Sequence, residues 1–207
     1  MSAESRLARV AAFIDRDGVI NRDHGYVSDW EAFEFLPGVI DGLSLLQGLG
    51  FQLVVVTNQS GIGRGFYDEQ AFQNLSSKMC ACLAERGINI SDIYFCPHHP
   101  EQALDTYRTA CDCRKPAPGM LLRAAVDHGL ALEDSIMIGD KPSDIEAGRR
   151  AGVARCYHVT KGQAAAGAQQ VASLLAAARY EKKIHKHATI QNFVNARGFS
   201  WIKNHRK

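Results

Sequence analysis

Asp15 and Asp17 stand two residues apart at the end of an apolar run over residues 10–14, with Gly18 directly after them. The run reads as a buried strand of a parallel sheet. Carboxylates at the carboxyl end of such a strand lie where open α/β sheets bind ligands. Two acids there can share one hard cation, and one of them can act as a nucleophile. An Asp-rich turn that merely ends a strand has the same local pattern, so the rest of the chain must decide. Two further strand ends supply matching parts. The run at 51–56 ends in Thr57-Asn58-Gln59-Ser60-Gly61, a hydroxyl and backbone donors suited to a phosphoryl oxygen. The run at 135–138 ends in Gly139-Asp140-Lys141, a third carboxylate. Lys115, within Arg114-Lys115-Pro116, adds a mobile positive charge. Mg²⁺ is the natural ion, because it favours carboxylate oxygens and keeps several waters. Acids, a cation and phosphate donors converging on one sheet edge imply phosphoryl transfer.

A second cluster pairs Cys96-Pro97-His98-His99 with Cys111-Asp112-Cys113. Three thiols and a histidine form a closed Cys₃His set, the kind used for structural Zn²⁺. An ordering metal also explains how a loop this long could stay defined in a compact domain. Four protein ligands leave no open position, so this metal is not expected to be catalytic. Cys80 and Cys82 alternate on a helix and read as core thiols, and Cys156 in a strand reads likewise. Gly61-Ile62-Gly63-Arg64-Gly65 lacks the Lys-Ser/Thr of a P-loop and reads as a flexible approach to the site. His128 and His158 read as helix-end and strand residues rather than ligands.

The elements that must position these groups alternate. Strands are expected at 10–14, 51–56, 90–95, 135–138 and 154–159. Helices are expected at 39–49, 68–86, 119–128, 144–151 and, Ala-rich, 164–178. Pro37 and Gly38 open the first helix and Gly50 stops it. Asp68 is placed as an N-cap, and Ser143 with Glu146 as a capping box. Residues 22–36 and 96–118 are left as long loops. Strands alternating with helices mean βαβ units, hence an α/β chain with a mostly parallel sheet.

The bulk numbers fit one soluble α/β domain: 207 residues, 46% hydrophobic and 22% charged. Charge is uneven. Eight Lys or Arg and one acid, Glu181, fall from Arg179 onward, and residues 1–178 carry a net charge of −5. A body of that sign is not expected to bind nucleic acid. No stretch approaches the ~18 apolar residues of a membrane span, and MSAESRLARV lacks a signal-peptide core. A cytoplasmic, reducing setting and thiols without disulfides are the expectation.

Taken together, D-x-D-G at Asp15 to Gly18, Thr57, Lys115 and Gly139-Asp140 resemble the four motifs of the haloacid dehalogenase superfamily, in that family's order. The longer stretches FIDRDGVIN, DHGYV, VVVTNQSGIGRG, CPHHP, CDCRKPAPGM and GDKPSDIEAG resemble its bacterial heptose bisphosphate phosphatase branch over about residues 10–160. The resemblance implies a Rossmann-like three-layer sandwich of the capless type, with a zinc-bound loop. It implies removal of the 7-phosphate from D-glycero-D-manno-heptose 1,7-bisphosphate, a step toward nucleotide-activated heptose. It implies Asp15 as nucleophile and Asp17 as general acid and base. Thr57 and Lys115 are implied to hold the transferring oxygens. The implied Mg²⁺ ligands are the Asp15 carboxylate, the Asp17 backbone carbonyl and Asp140. The implied substrate contacts are Asp23, His24, Gly25, Tyr26, Thr57, Asn58, Gln59, Ser60, Arg114, Lys115 and Lys141. The family pattern selects His98 over His99, which makes the zinc set Cys96, His98, Cys111 and Cys113.

Histidinol phosphate is the rival substrate within the same chemistry. From another class, a non-catalytic zinc-stabilised binding module would fit, but the full set of Asp15, Asp17, Thr57, Lys115 and Asp140 argues against it. Asp144 also reads as an acid placed for the first turn of its helix. Residues 1–178 are expected to form the phosphatase domain, with the zinc loop at 96–113. Residues 179–207 read as a basic tail, frayed or disordered, with Phe193, Phe199 and Trp201 among its Lys and Arg. A sugar phosphate is the expected small-molecule partner, with no nucleic acid, no membrane and a monomeric chain.

Overall fold

The computed structural model describes residues 9–196, with side chains through residue 188. In chain order the elements are β1 (Val10–Ile14), α1 (Val39–Gly48), β2 (Phe51–Asn58), a single turn α2 (Ser60–Gly63), α3 (Glu69–Ala84), β3 (Ile90–Cys96), α4 (Gly119–His128), β4 (Ile136–Gly139), α5 (Pro142–Ala151), β5 (Arg155–Val159), β6 (Ala168–Val171) and α6 (Leu174–Ala196). The six strands form one parallel sheet in the order β3-β2-β1-β4-β5-β6. The chain steps outward from β1 on one side and then on the other. That reversal opens a crevice at the carboxyl ends of β1 and β4, the switch point where such sheets bind ligands.

The continuous apolar strands are explained by two cores. Ala12 and Ile14 of β1 face Leu43 and Leu46 of α1, Met79 and Leu83 of α3, and Leu174 and Ala177 of α6. Ala11 and Phe13 face Met120 and Leu121 of α4 and Ile145 and Ala147 of α5. Alternate residues of one strand thus point into different layers, giving the expected three-layer sandwich. No helix among the described residues is long and apolar enough to cross a membrane.

Asp68 caps α3 as expected, its Oδ1 accepting from Ala71 N at 2.7 Å. The cap of α5 differs from the expectation. Pro142 occupies the first turn, and Asp144 accepts the backbone N–H of Lys141 at 2.9 Å. Ser143 and Glu146 do not form the capping box; Glu146 instead pairs with Arg149 and Arg150. The expected helix at 164–178 is also corrected. Gly167 takes a left-handed φ of 77°, residues 168–171 add strand β6 to the edge of β5, and the helix starts only at Leu174. Alanine's helix propensity yields there to tertiary strand pairing.

The expected domain boundary at 178/179 falls within a helix. α6 runs through it, so residues 179–196 are helical rather than frayed. Of the tail's aromatic residues, Phe199 and Trp201 lie outside the described residues, as does the side chain of Phe193. Glu181 is fully buried and takes Arg155 through two bonds of 2.7 and 3.0 Å, with the Tyr157 hydroxyl as a third donor. Removing one partner of a buried pair costs about 3–5 kcal/mol; Arg155 keeps some hydration, so the lower end applies. Glu181→Ala is expected to lower the unfolding free energy by at least about 2 kcal/mol in urea titrations. A change within 0.5 kcal/mol, on the order of an ordinary surface substitution, would show that the network is not a structural tie.

Candidate active site

Gly18 turns the chain back from β1 with a φ of 86°, and a Cβ there would fall 2.3 Å from Asp140 Oδ2. Only glycine meets both conditions. The turn sets Asp15 and Asp17 on different walls. Asp15 is buried, and its Oδ1 accepts from Lys115 Nζ at 2.8 Å. Lys115 Nζ also lies 2.7 Å from Asp144 Oδ1 and donates to Val56 O at 2.7 Å. Burial pushes the Asp15 carboxyl up to about 7: Lys115 pulls it down, while Asp144 and Asp140 push it further up. Burial alone would lower the Lys115 ammonium, but Asp15 and Asp144 outweigh it and hold it above the ordinary lysine value.

Asp15, Asp140 and Asp144 present carboxylate oxygens within 4.8 Å of one another. Asp140 Oδ1 is buried with no hydrogen-bond partner. Burial also raises the Asp140 pKa. One ammonium does not balance three crowded acids, and a hard divalent cation fits the donor set. Both Asp144 oxygens are already engaged, by Lys115 and by the Lys141 N–H. Asp144 therefore serves as the Lys115 anchor as well as an acid of the first helical turn. Asp17 turns its carboxylate away from this cluster, toward Arg16, Asn21 and Gln59.

A cleft of about 560 Å³ opens over these groups, roomy enough for a small-molecule ligand. Among the expected substrate contacts, His24 is the one that does not line it. Asp23 accepts from Gly25 N and pairs with Lys141 at 3.3 Å, which ties the 23–26 loop to α5. The Asn58 side chain lines the cleft and is hydrogen-bonded to protein. It donates to Lys115 O and accepts from Lys115 N, both at 3.1 Å, and so fixes the backbone that carries Arg114 and Lys115. The Gln59 side chain is 2% exposed and is likewise engaged by protein groups. His158 on β5 is not a ligand; its Nε2 donates to Asp140 O at 2.9 Å and its Nδ1 accepts from Ala165 N. Arg16, Tyr67 and His158 carry no motif signal of their own, and only tertiary proximity reveals them.

The Cys–His cluster closes at the carboxyl end of β3, on the same sheet edge as the cleft. Sγ atoms of Cys96, Cys111 and Cys113 lie 3.1–3.6 Å apart, and His98 Nδ1 lies 3.4 Å from Cys113 Sγ and 3.7 Å from Cys96 Sγ. Zn–S bonds of about 2.3 Å give tetrahedral edges near 3.8 Å, so the donors fit a zinc ion. Burial pushes the Cys96 and Cys113 thiols up, which a divalent soft cation would reverse by displacing their protons. His99 Nδ1 instead accepts from the N–H groups of Glu101 and Gln102. Arg114 Nη1 donates to His98 O at 3.0 Å, linking this cluster to the cleft.

Comparison with known proteins agrees with this geometry. The HAD-hydrolase-like family model matches residues 112–185. The D-glycero-β-D-manno-heptose-1,7-bisphosphate 7-phosphatase of Photorhabdus laumondii is 45% identical over 166 residues, 80% of this chain and 88% of that one. The protein of the same name from Escherichia coli K12 is 50% identical over 143 residues, 69% of this chain and 75% of that one. The crystal structure of the B. bronchiseptica D,D-heptose 1,7-bisphosphate phosphatase, complexed with magnesium and phosphate, superposes with a TM-score of 0.74 at 28% identity, covering 84% of this chain and 98% of that one. The motif order, the sheet, the acid–lysine cluster and this degree of identity meet in one conclusion: the chain belongs to the heptose-1,7-bisphosphate 7-phosphatase family of HAD hydrolases.

Proposed function

We propose that this chain removes the 7-phosphate of D-glycero-D-manno-heptose 1,7-bisphosphate through an aspartyl phosphate on Asp15. The observation that carries the chemistry is the pair of acids on one turn with opposite settings. Asp15 is buried against Lys115 at 2.8 Å, and Asp17 faces the same cleft from a separate donor network. The substrate is that of the relatives at 45–50% identity.

Asp15 attacks phosphorus in line, and the bond from phosphorus to the sugar oxygen breaks. Asp17 delivers a proton to the departing oxygen. It then takes a proton from water, whose oxygen attacks phosphorus, breaks the bond to Asp15 and releases inorganic phosphate. The Thr57 hydroxyl and the Lys115 ammonium hold the transferring oxygens. Mg²⁺ would be held by the Asp15 carboxylate, the Asp17 carbonyl and Asp140, and would supply positive charge to offset the dianionic phosphate ester beside the Asp15 carboxylate. Arg114 forks onto a second group of the same sugar, a phosphate or vicinal hydroxyls. The 23–26 loop and the zinc loop cover the substrate in place of a cap domain. The domain extends beyond residue 178 to include the Glu181 tie, and a single chain carries the whole site.

Steady-state kinetics on a sugar-phosphate panel, with phosphorus NMR to locate the cleaved ester, test this reading. kcat/KM for the 1,7-bisphosphate is expected at least ~10²-fold above simple monophosphates, a few kcal/mol of differential binding. Equal rates on histidinol phosphate or a hexose monophosphate would overturn the heptose assignment.

Zinc at Cys96, His98, Cys111 and Cys113 has its own test. Freshly purified protein is expected to carry about one zinc per chain. Cys111→Ser should lower the thermal midpoint and weaken the bisphosphate preference through the Arg114–His98 link. Active protein free of zinc by metal analysis would refute the site.

A further inference from the structure

Asp17 is the most heavily tethered acid of the cleft. Its Oδ1 accepts from Arg16 Nη2 at 2.9 Å and from Asn21 Nδ2 at 3.0 Å. Its Oδ2 accepts from Gln59 Nε2 at 2.8 Å. Gln59 is the middle of a relay. The same Nε2 donates to Thr57 Oγ1 at 2.8 Å, and its Oε1 accepts from the Tyr67 hydroxyl at 2.5 Å. An amide can present either end to a neighbour. A reversed Gln59 would set its carbonyl oxygen against the Asp17 carboxylate and its NH₂ against the Tyr67 donor. The acceptor-only Asp17 carboxylate sets which way the amide points, and the Tyr67 hydroxyl, with Arg16 Nη2 at 3.5 Å, holds its carbonyl end in place. Burial pushes the Tyr67 phenol up to about 12, so it stays a donor at neutral pH. The ring reaches this place because residue 61 is glycine: a Cβ there would fall 2.3 Å from Tyr67 Cε1.

We infer that Tyr67 is a positioning residue for the acid step: through Gln59 it holds the Asp17 carboxyl, and with it Thr57, in the orientation that meets the leaving oxygen. The inference rests on Asp17 being the general acid. It assigns to Tyr67, a residue of the cleft wall, a role exerted through Gln59, and it makes Gln59 the coupling between two catalytic groups.

A poorly placed acid matters where the leaving group is a sugar alkoxide and hardly at all where it is a stable phenolate, because only the former needs a proton as the bond breaks. The test compares kcat/KM for the heptose bisphosphate and for 4-nitrophenyl phosphate in wild type, Tyr67→Phe, Gln59→Leu, the double variant and Asp17→Asn. Tyr67→Phe keeps the ring and deletes one hydroxyl. It is expected to lose ~10-fold on the sugar phosphate, part of the ~10²–10⁴ that acid–base catalysis supplies, and less than ~3-fold on the aryl ester. In the Gln59→Leu background the Tyr67 change should add nothing. Equal losses on both substrates, or additive losses in the double variant, overturn the positioning role. If Asp17→Asn shows the leaving-group split and Tyr67→Phe does not, only this inference falls. If neither shows it, the assignment of Asp17 as the acid falls too.

Discussion

Asn in place of Asp15 is expected to leave a folded protein with turnover reduced at least ~10³-fold, about 4 kcal/mol of barrier. The amide has the shape of the acid but lacks the oxygen nucleophile that must bond to phosphorus. The fold should survive because Lys115 keeps Asp144 and Val56 O as partners. Stability should even shift in a definite direction. Burial raises the folded-state pKa of Asp15 to about 7 from 3.8. The folded protein therefore binds this proton more tightly than the unfolded chain, and ionising the group opposes folding. Metal-free wild type should lose stability from this group as pH rises from about 4 to about 7, and Asp15→Asn should not. Thermal unfolding of metal-free protein at pH 5 and pH 8 checks the sign: the variant gains on wild type at the higher pH. Turnover above ~1% of wild type, in protein shown by mass spectrometry to retain the amide, refutes the nucleophile; a factor of 10² is too little for the loss of a covalent step.

The sequence made the reacting groups legible for a physical reason. Three of them stand at the carboxyl end of an apolar run, and a buried parallel strand announces itself by that run. Asp15 and Asp140 directly follow β1 and β4, and Thr57 is the penultimate residue of β2. Their supports are set by contacts across the chain. Asn58 grips the backbone of Lys115, 57 residues away. His158 reaches Asp140 from the neighbouring strand. Such pairs leave no periodicity and no local spacing to read. The stretch from residue 164 onward failed to read for a related reason. An Ala-rich stretch favours helix, yet β5 had an open edge, and pairing with it drew residues 168–171 into a strand. A basic composition marked residues 179–207 as a tail, while one buried acid, Glu181, binds the first part of it to β5. Composition averages over a segment, and a single buried residue with two partners on β5 escapes that average.

Lys115 is where catalysis and stability meet most directly. Its ammonium lies 2.8 Å from Asp15 and 2.7 Å from Asp144, and the residue is 3% exposed. Lys115→Met keeps the stem's packing and removes the charge. Two buried carboxylates then face each other, with Asp140 close by. Breaking a buried ion pair in this way costs about 3–5 kcal/mol, and the loss of charge at the transferring oxygens should lower kcat at least ~10²-fold. The two effects should separate. Lys115 holds the Asp15 pKa down, so without the ammonium that carboxyl rises further, and the variant's instability should be severe at pH 8 and shrink toward pH 5 as Asp15 takes up its proton. Added Mg²⁺ binds only the folded acids and should restore stability by mass action, yet it should not restore turnover, because the phosphoryl oxygens still lack the lysine. Lys115→Arg should fail as well: a planar fork does not enter a site built around one nitrogen with three partners. Thermal midpoints at both pH values, with and without Mg²⁺, together with kcat, check all of this. A pH-independent loss of stability, or turnover within tenfold of wild type, would show that Lys115 is packing and not the charge on which the site is balanced.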